Sequence, residues 1–191
     1  MKMILGSSSP RRQKLLSDWG YRFDVLRPQI DEKMIRSEDL RLLPLMLASA
    51  KAENLRQQIT QPALLITCDT IVLHDGRLYE KPGSDYEARE MLQSYGLLPA
   101  EVICGVVVTN TGNGRSVQGV DSAKVYFQKI PHNLIEEMIK LGRIFDFAGA
   151  FHPDDPPIKP YIAYIEGEKG TVMGLPRFLT KKLIDEVYDP E

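Results

Sequence analysis

Three serines, a proline and two adjacent arginines follow a short apolar run near the start of the chain, in the segment GSSSPRRQKLL at residues 6–16. Ser9 can cap a helix that has Pro10 in its first turn, and a helix N-terminus exposes backbone N–H groups. The serine hydroxyls and the forked guanidinium groups of Arg11 and Arg12 match phosphate oxygens. The segment therefore indicates a phosphate-binding turn without the Gly-Lys-Ser/Thr ending of a Walker A loop. The alternative is a capped surface helix with two solvated arginines.

Carboxylates that could bind a cation occur in two places. Asp69 interrupts the apolar run LLITCDTIVL at residues 64–73, and a buried carboxylate must be paired or bound to a metal. Asp31 and Glu32 follow a short strand that Pro28 stops. Asp69 and Glu32 could together meet the need of a hard divalent cation for one or two carboxylates beside substrate phosphates. The alternatives are that Asp69 ends the strand at solvent or bonds a nearby backbone N–H, and that Asp31 and Glu32 are two solvated acids in a loop.

Two lysines are further candidates, and the neighbours of Lys51 slightly favour a pocket. Lys51 lies in the alanine-rich segment LASAKAENL, where small side chains let another backbone come close, and Lys81 precedes Pro82 after a hairpin. Each could instead be an ordinary surface lysine. The histidines and cysteines lack ligand spacing, so we predict no zinc site and two buried free thiols, Cys68 and Cys104.

The elements that must position these residues alternate between helix and strand early in the chain and become richer in strands later. We expect strands at 3–5, 23–26, 64–73, 77–79, 101–109, 117–127 and 161–165, and helices at 10–19, 44–59, 84–93, 131–141 and 176–187. Residues 153–160 contain four prolines and are expected to be irregular. This order predicts an α/β protein with a mixed sheet and is compatible with two lobes around a cleft.

The composition indicates a single soluble domain over residues 1–191, of which 43% are apolar and 26% charged. A formal net charge of -2 argues against a general nucleic-acid-binding face, which needs a broad cationic surface. The sequence has no apolar run of about 20 residues and no signal-peptide pattern. Two cysteines form no disulfide framework. We therefore expect a cytoplasmic protein.

Taken together, these segments resemble the Maf family of nucleoside triphosphate pyrophosphatases, in order and over nearly the whole chain. The matching segments are SSSPRRQKLL, IDE, ASAKAENL, CDTIV, EKP, EAREML, AGAF and VMGLP. The resemblance implies an α/β fold with a mixed twisted sheet and an elongated, two-lobed architecture with a central cleft, similar to the inosine triphosphate pyrophosphatases. It also implies cleavage of a nucleoside triphosphate into the monophosphate and pyrophosphate, with Mg²⁺ or Mn²⁺, in a house-cleaning role.

The resemblance also implies roles for individual residues. Asp69 would be the general base and would bind the metal together with Glu32. The phosphates would be held by Ser7, Arg11, Arg12, Lys51 and Lys81.

The resemblance divides over the base of the nucleotide. Arg11 and Thr70 resemble the branch that acts on dTTP and UTP, since the branch that acts on 7-methyl-GTP typically has Trp and Gln there. AGAF followed by Asp154 is closer to that second branch. We expect a pyrimidine or modified nucleotide of the dTTP/UTP type as the substrate, with 7-methyl-GTP as the alternative.

Two further functions remain open. A phosphatase with Asp69 as the nucleophile is disfavoured because the position two residues later is Ile71 rather than a second aspartate. A non-catalytic nucleotide-binding regulator of cell division would use the same phosphate-binding turn. In each case the expected partner is a nucleotide rather than a nucleic acid polymer or a membrane, and a homodimer is a further option.

Overall fold

A computed structural model describes residues 1–188. Within them, seven strands form a mixed sheet, and there are six α-helices. The strands are β1 (Lys2–Gly6), β2 (Asp24–Leu26), β3 (Ala63–His74), β4 (Arg77–Tyr79), β5 (Ala100–Asn110), β6 (Ser116–Phe127) and β7 (Ile162–Glu166). The helices are α1 (Pro10–Asp18), α2 (Leu43–Arg56), α3 (Asp85–Ser94), α4 (His132–Leu141), α5 (Lys169–Val172) and α6 (Arg177–Tyr188).

The strand order in the sheet is β2-β1-β3-β5-β6-β7, with β4 paired to β3. β1 runs parallel to both β2 and β3, whereas β4 is antiparallel to β3 and β7 is antiparallel to β6. The nearly continuous apolar run of β3 is typical of a strand that is buried on both faces. The expectation of an α/β fold with a mixed sheet is confirmed.

The chain divides into two compact units. The first contains residues 1–69, 104–121 and the C-terminal residues from Gly174, and the second contains residues 70–103 and 122–173. The expected elongated shape, the central cleft and the single domain over residues 1–191 stay predictions.

The two faces of β3 bury different clusters in the first unit. Its even-numbered side chains from Leu64 to Cys68 pack with residues of α1 and α6, whereas Ala63 and Leu65 pack with α2. Because successive side chains of a strand point to opposite faces, Asp69 lies on the same side of β3 as the residues that contact α2. This alternation determines which helix can supply a partner for its carboxylate.

Two glycines let α2 approach the sheet closely. A Cβ atom on Gly105 of β5 would lie 2.5 Å from the Cα of Leu45, and one on Gly6 of β1 would lie 2.5 Å from Cδ1 of Leu55. Real Cβ atoms do not make contacts this short, so a larger residue at either position would displace the helix or its side chains.

The second unit has its own core, in which an aromatic group is central. Tyr95 stacks on Phe127 with a ring-centroid separation of 4.6 Å, and its hydroxyl donates to the carbonyl of Gly149 at 2.8 Å. Gly149 has a φ of +68°, and a Cβ there would lie 2.6 Å from the Tyr95 hydroxyl. Only glycine fits this bend without strain.

Most element positions agree with expectation, and the differences concern single turns. α2 ends at Arg56 rather than near residue 59, and neither α5 nor the 3₁₀ turn Glu32–Met34 was expected. Lys159–Tyr161 forms a 3₁₀ turn in and just after the proline-rich segment that was expected to be irregular. One helical turn is too short to show a hydrophobic period, so the sequence carries little signal for these elements.

The N-terminus of α3 uses a variant of the expected capping box. Ser84 Oγ accepts the backbone N–H of Glu87 at 3.2 Å, as predicted. The Glu87 carboxylate accepts from the N–H of Gly83 at 2.8 Å instead of returning to Ser84.

Along residues 1–188, no helix combines the length and the apolar content that crossing a bilayer would require.

Candidate active site

The turn between β1 and α1 holds Ser7 through two contacts that both use its hydroxyl oxygen as an acceptor. The Ser7 oxygen accepts from the backbone N–H of Ser9 at 3.2 Å and from Nη1 of Arg12 at 3.4 Å. Ser9 caps α1, since its hydroxyl oxygen accepts the backbone N–H of Arg12 at 3.5 Å. Because Ser7 acts only as an acceptor in these contacts, its hydroxyl proton can be donated to a phosphate oxygen.

A backbone carbonyl from a distant part of the chain helps to fix the Arg12 side chain. Nε of Arg12 donates to the carbonyl of Gly174 at 2.9 Å, and the same oxygen accepts from the thiols of Cys68 at 3.0 Å and Cys104 at 3.4 Å. The two sulfur atoms lie 3.4 Å apart. The cysteines are buried free thiols, as expected, but their contact with the support of Arg12 was missed. Gly174 lies in the matching segment VMGLP, but nothing in that segment indicated this contact.

Lys51 lies between the two carboxylates that the sequence singled out. It is 5% exposed, its ammonium forms a hydrogen-bonded ion pair with Asp69, and it lies 2.8 Å from Oε1 of Glu32. Asp69 is only 7% exposed, whereas the side chain of Glu32 is 54% exposed. The alternative of a solvent-exposed strand end for Asp69 is therefore wrong, and the buried carboxylate has the charged partner that burial demands.

The spacing of residues along α2 places Lys51 over β3. Ala48 and Leu55 are buried against the sheet, and Lys51 follows Ala48 by three residues, so it lies on the same face of the helix. Thr67 of β3 donates its hydroxyl to the carbonyl of Ala48 at 2.8 Å. Thr67 and Asp69 are two residues apart on one face of the strand, so α2 contacts β3 through a hydrogen bond and an ion pair in succession.

Arg12 carries a permanent positive charge in this site. Burial by itself lowers the pKa of its guanidinium, but the attraction of neighbouring negative groups outweighs burial and raises this pKa above its ordinary value. In order of effect these groups are Cys68, Asp69, Cys104 and Glu32. For the Cys68 thiol, burial raises the pKa, but the hydrogen bond with Cys104 and the charge of Arg12 lower it further than burial raises it.

The structure thus brings together five of the predicted residues in the first unit. They are Ser7, Arg12, Glu32, Lys51 and Asp69. Two cations and two carboxylates balance one another there, so the cluster carries little net charge of its own.

The other predicted residues have different surroundings. Arg11 is half-buried in the first turn of α1. The remaining three belong to the second unit, where Thr70 is half-buried in β3 and Lys81 is exposed after β4. Asp154 lies 2.7 Å from Nζ of Lys169, and this hydrogen-bonded ammonium lowers the pKa of the Asp154 carboxyl.

The donor chemistry of the site suits a hard divalent cation. Residues 1–188 contain no group of three or more His, Cys, Asp or Glu side chains arranged to hold a metal ion. Glu32 and Asp69 supply two carboxylates, and Lys51 contacts only one oxygen of each. Two carboxylates suffice for Mg²⁺ or Mn²⁺ when a substrate phosphate completes the coordination.

The family model of Maf-like proteins matches residues 2–187. This chain belongs to the Maf family. The family suggested by eight short segments in register is therefore confirmed.

Two relatives of this Maf chain have similar lengths and different substrate names. A 7-methyl-GTP pyrophosphatase from Dictyostelium discoideum is 38% identical over 192 residues, which cover 97% of this chain and 96% of that one. A dTTP/UTP pyrophosphatase from Vibrio vulnificus is 31% identical over 185 residues, which cover 97% of this chain and 98% of that one.

A solved structure of a nucleoside-triphosphatase, also named dITP/XTP pyrophosphatase, from Mycobacterium abscessus aligns with a TM-score of 0.40 and 15% identity. The alignment covers 69% of this chain and 76% of that one.

Proposed function

We propose that this protein hydrolyses a nucleoside triphosphate to the nucleoside monophosphate and pyrophosphate. The observation that carries the proposal is the ion-pair cluster of Lys51, Asp69 and Glu32 beside Arg12, in a chain whose relatives are named nucleotide pyrophosphatases. Charge neutralisation around the phosphates and a positioned water are the main needs of this reaction.

Each residue of the cluster has a role that its geometry supports. Arg12 is held by the Gly174 carbonyl, and we assign it, with the donating hydroxyl of Ser7, to the phosphate chain. Lys51 would neutralise a further phosphate oxygen. Asp69 would accept a proton from the attacking water. The oxygen of that water bonds to phosphorus while the α–β anhydride bond breaks and releases pyrophosphate.

We assign a divalent cation, Mg²⁺ or Mn²⁺, to Glu32 and Asp69. When bound, such a cation neutralises phosphate charge and lowers the pKa of a coordinated water. Asp69 would then serve both as a ligand and as the group that accepts the proton, because its two oxygens can take separate roles. Arg11 and Lys81 stay predicted phosphate ligands.

The base of the substrate separates two candidates. Arg11 and Thr70 are the basis for proposing a pyrimidine nucleotide of the dTTP/UTP type. The Dictyostelium relative and Asp154 favour the 7-methyl-GTP alternative. A panel of triphosphates that contains dTTP, UTP, GTP and 7-methyl-GTP, assayed for pyrophosphate, decides between them through the ratio of kcat/KM values.

The reaction itself is tested by product analysis and by one isosteric variant. With Mg²⁺ or Mn²⁺, the protein should release pyrophosphate and not orthophosphate. Asp69→Asn should abolish turnover while circular dichroism shows an unchanged fold. Full activity of this variant would remove Asp69 from the mechanism.

Two other outcomes would replace the proposal. Orthophosphate as the only product, or a covalent aspartyl-phosphate, would favour the phosphatase alternative. Nucleotide recovered unchanged after long incubation with the metal would favour a nucleotide-binding regulator of cell division. The cytoplasmic location, the house-cleaning role and the homodimer stay predictions.

A further inference from the structure

The segment that carries Glu32 is attached to α2 at two points. Lys51 contacts the Glu32 carboxylate at 2.8 Å. One turn further along the helix, Asn54 contacts the backbone of Gln29, three residues before Glu32. Lys51 and Asn54 are three positions apart on a helix, so both face the same segment.

Asn54 binds both main-chain groups of Gln29. Its Oδ1 accepts the N–H of Gln29 at 2.9 Å, and its Nδ2 donates to the carbonyl of Gln29 at 3.2 Å. A planar amide that pairs with the N–H and the C=O of one residue restrains both the position and the orientation of that residue. Pro28, with its fixed φ, limits the backbone directly before it.

The other contacts of Glu32 within residues 1–188 restrain its backbone rather than its carboxylate: its carbonyl accepts from Nη1 of Arg36 at 3.3 Å. The side chain of Glu32 is 54% exposed, so burial does not determine where it lies. The turn that begins at Glu32 is a single 3₁₀ turn, capped by Asp31, whose Oδ1 accepts the N–H of Lys33 at 3.1 Å. An ion pair with so exposed a partner contributes little order on its own. The anchor at Gln29 lies within about 10 Å of chain length from Glu32.

We propose that Asn54 is a positioning residue that clamps Gln29 to α2 and thereby holds Glu32 beside Lys51 and Asp69. The consequence for catalysis rests on the proposed function, because Glu32 matters there as a metal ligand. Asn54 itself touches neither substrate nor metal. Without the clamp, the Glu32 carboxylate lies beside Lys51 and Asp69 for a smaller fraction of the time. Part of the free energy of metal binding is then used to order this segment.

The test compares Asn54→Ala with Gln57→Ala, a control on an exposed side chain at the end of the same helix. Alanine is the best helix former, so Asn54→Ala removes the clamp without weakening α2. Amide hydrogen exchange of residues 27–35 should become about five- to a hundredfold faster in Asn54→Ala, as expected for two lost hydrogen bonds. Exchange of residues 64–68 in β3 should not change in either variant.

A second measurement connects the clamp to the metal. Binding of Mn²⁺ alone, followed by electron paramagnetic resonance, should weaken in Asn54→Ala, by no more than the factor by which exchange increases, because the apparent affinity falls with the fraction of time that the segment is ordered. In the pyrophosphate assay, the metal concentration for half-maximal rate should rise, while kcat at saturating metal stays near that of the unaltered protein. Gln57→Ala should change neither quantity.

The possible outcomes separate the two proposals. Unchanged exchange in Asn54→Ala would show that there is no clamp. Faster exchange with unaltered Mn²⁺ affinity would show that the clamp does not position Glu32. If the unaltered protein releases no pyrophosphate, the proposed function fails, and exchange together with Mn²⁺ binding still decides whether Asn54 orders the carboxylate. Absence of Mn²⁺ binding in the unaltered protein, both alone and with pyrophosphate present, would overturn the link to a metal.

Discussion

Replacing Lys51 by methionine removes the positive charge from the most buried ion pair of the site. Lys51 and Asp69 are 5% and 7% exposed, so the variant leaves a carboxylate buried without its hydrogen-bonded partner. Methionine keeps the apolar part of the lysine stem, so the packing of α2 changes little. We therefore attribute the expected loss of stability to the uncompensated charge.

The magnitude follows from the different surroundings of the two partners. Removing one partner of a buried pair costs about 3–5 kcal/mol, and the nearby charge of Arg12 places Lys51→Met at the lower end, near about 3 kcal/mol. Asp69→Asn leaves the ammonium with Glu32, which lies 2.8 Å away, so this variant should lose only about 1–2 kcal/mol. The double variant should be more stable than Lys51→Met, because no ionised group then lacks a partner in the interior.

Urea unfolding measures these differences, with the midpoint and the slope recorded for each variant so that changes in the denatured state are recognised. Lys14→Met is the matched control, since Lys14 forms an exposed ion pair with Asp18 at 2.9 Å. This variant should unfold at the same urea concentration as the unaltered protein. A loss below about 1 kcal/mol for Lys51→Met would refute the reasoning. A larger loss for Asp69→Asn than for Lys51→Met would also refute it.

Two further substitutions test the packing of α2 and the ion pair of the second unit. Gly105→Ala places a Cβ against the backbone of α2 and should reduce the free energy of unfolding by about 1–3 kcal/mol, whereas Gly83→Ala, whose Cβ meets its nearest atom at 3.5 Å, should have little effect. Lys169→Gln removes the charge that lowers the pKa of Asp154, so it should cost less than about 1 kcal/mol near neutral pH. A lowered carboxyl pKa stabilises the fold above the ordinary pKa of aspartate and is lost as the pH falls, so this deficit should disappear in acid. A deficit that persists there would contradict the assignment.

Local patterns were sufficient for most of the fold. β3 was predicted from a run of β-type apolar residues, and α1 was predicted from a capping serine and a first-turn proline, because these signals lie within a few residues of one another. The sequence contained less information about single turns such as Glu32–Met34, whose formation depends on the segment they join.

For the candidate site, too, some features could be predicted from the sequence and others could not. Residue types singled out Asp69 as an isolated charge in an apolar run, whereas the roles of Arg12 and Lys51 came from the family resemblance. Their mutual distances were not visible. The hydrogen bond from Arg12 to the carbonyl of Gly174 joins residues that are 162 positions apart in the chain. The hydrogen bond from Asn54 to the carbonyl of Gln29 joins residues that are 25 positions apart.

The sequence by itself determined most of the elements, the family and the set of charged side chains, since hydrophobic period, capping and motif order are properties of neighbouring residues. Only the tertiary structure decided which carboxylate pairs with which cation. Strand alternation turns Asp69 toward α2, and the glycines of β1 and β5 let that helix approach closely enough for Lys51 to reach it. These contacts depend on the packing of segments distant in the chain, for which a single sequence carries no distance information.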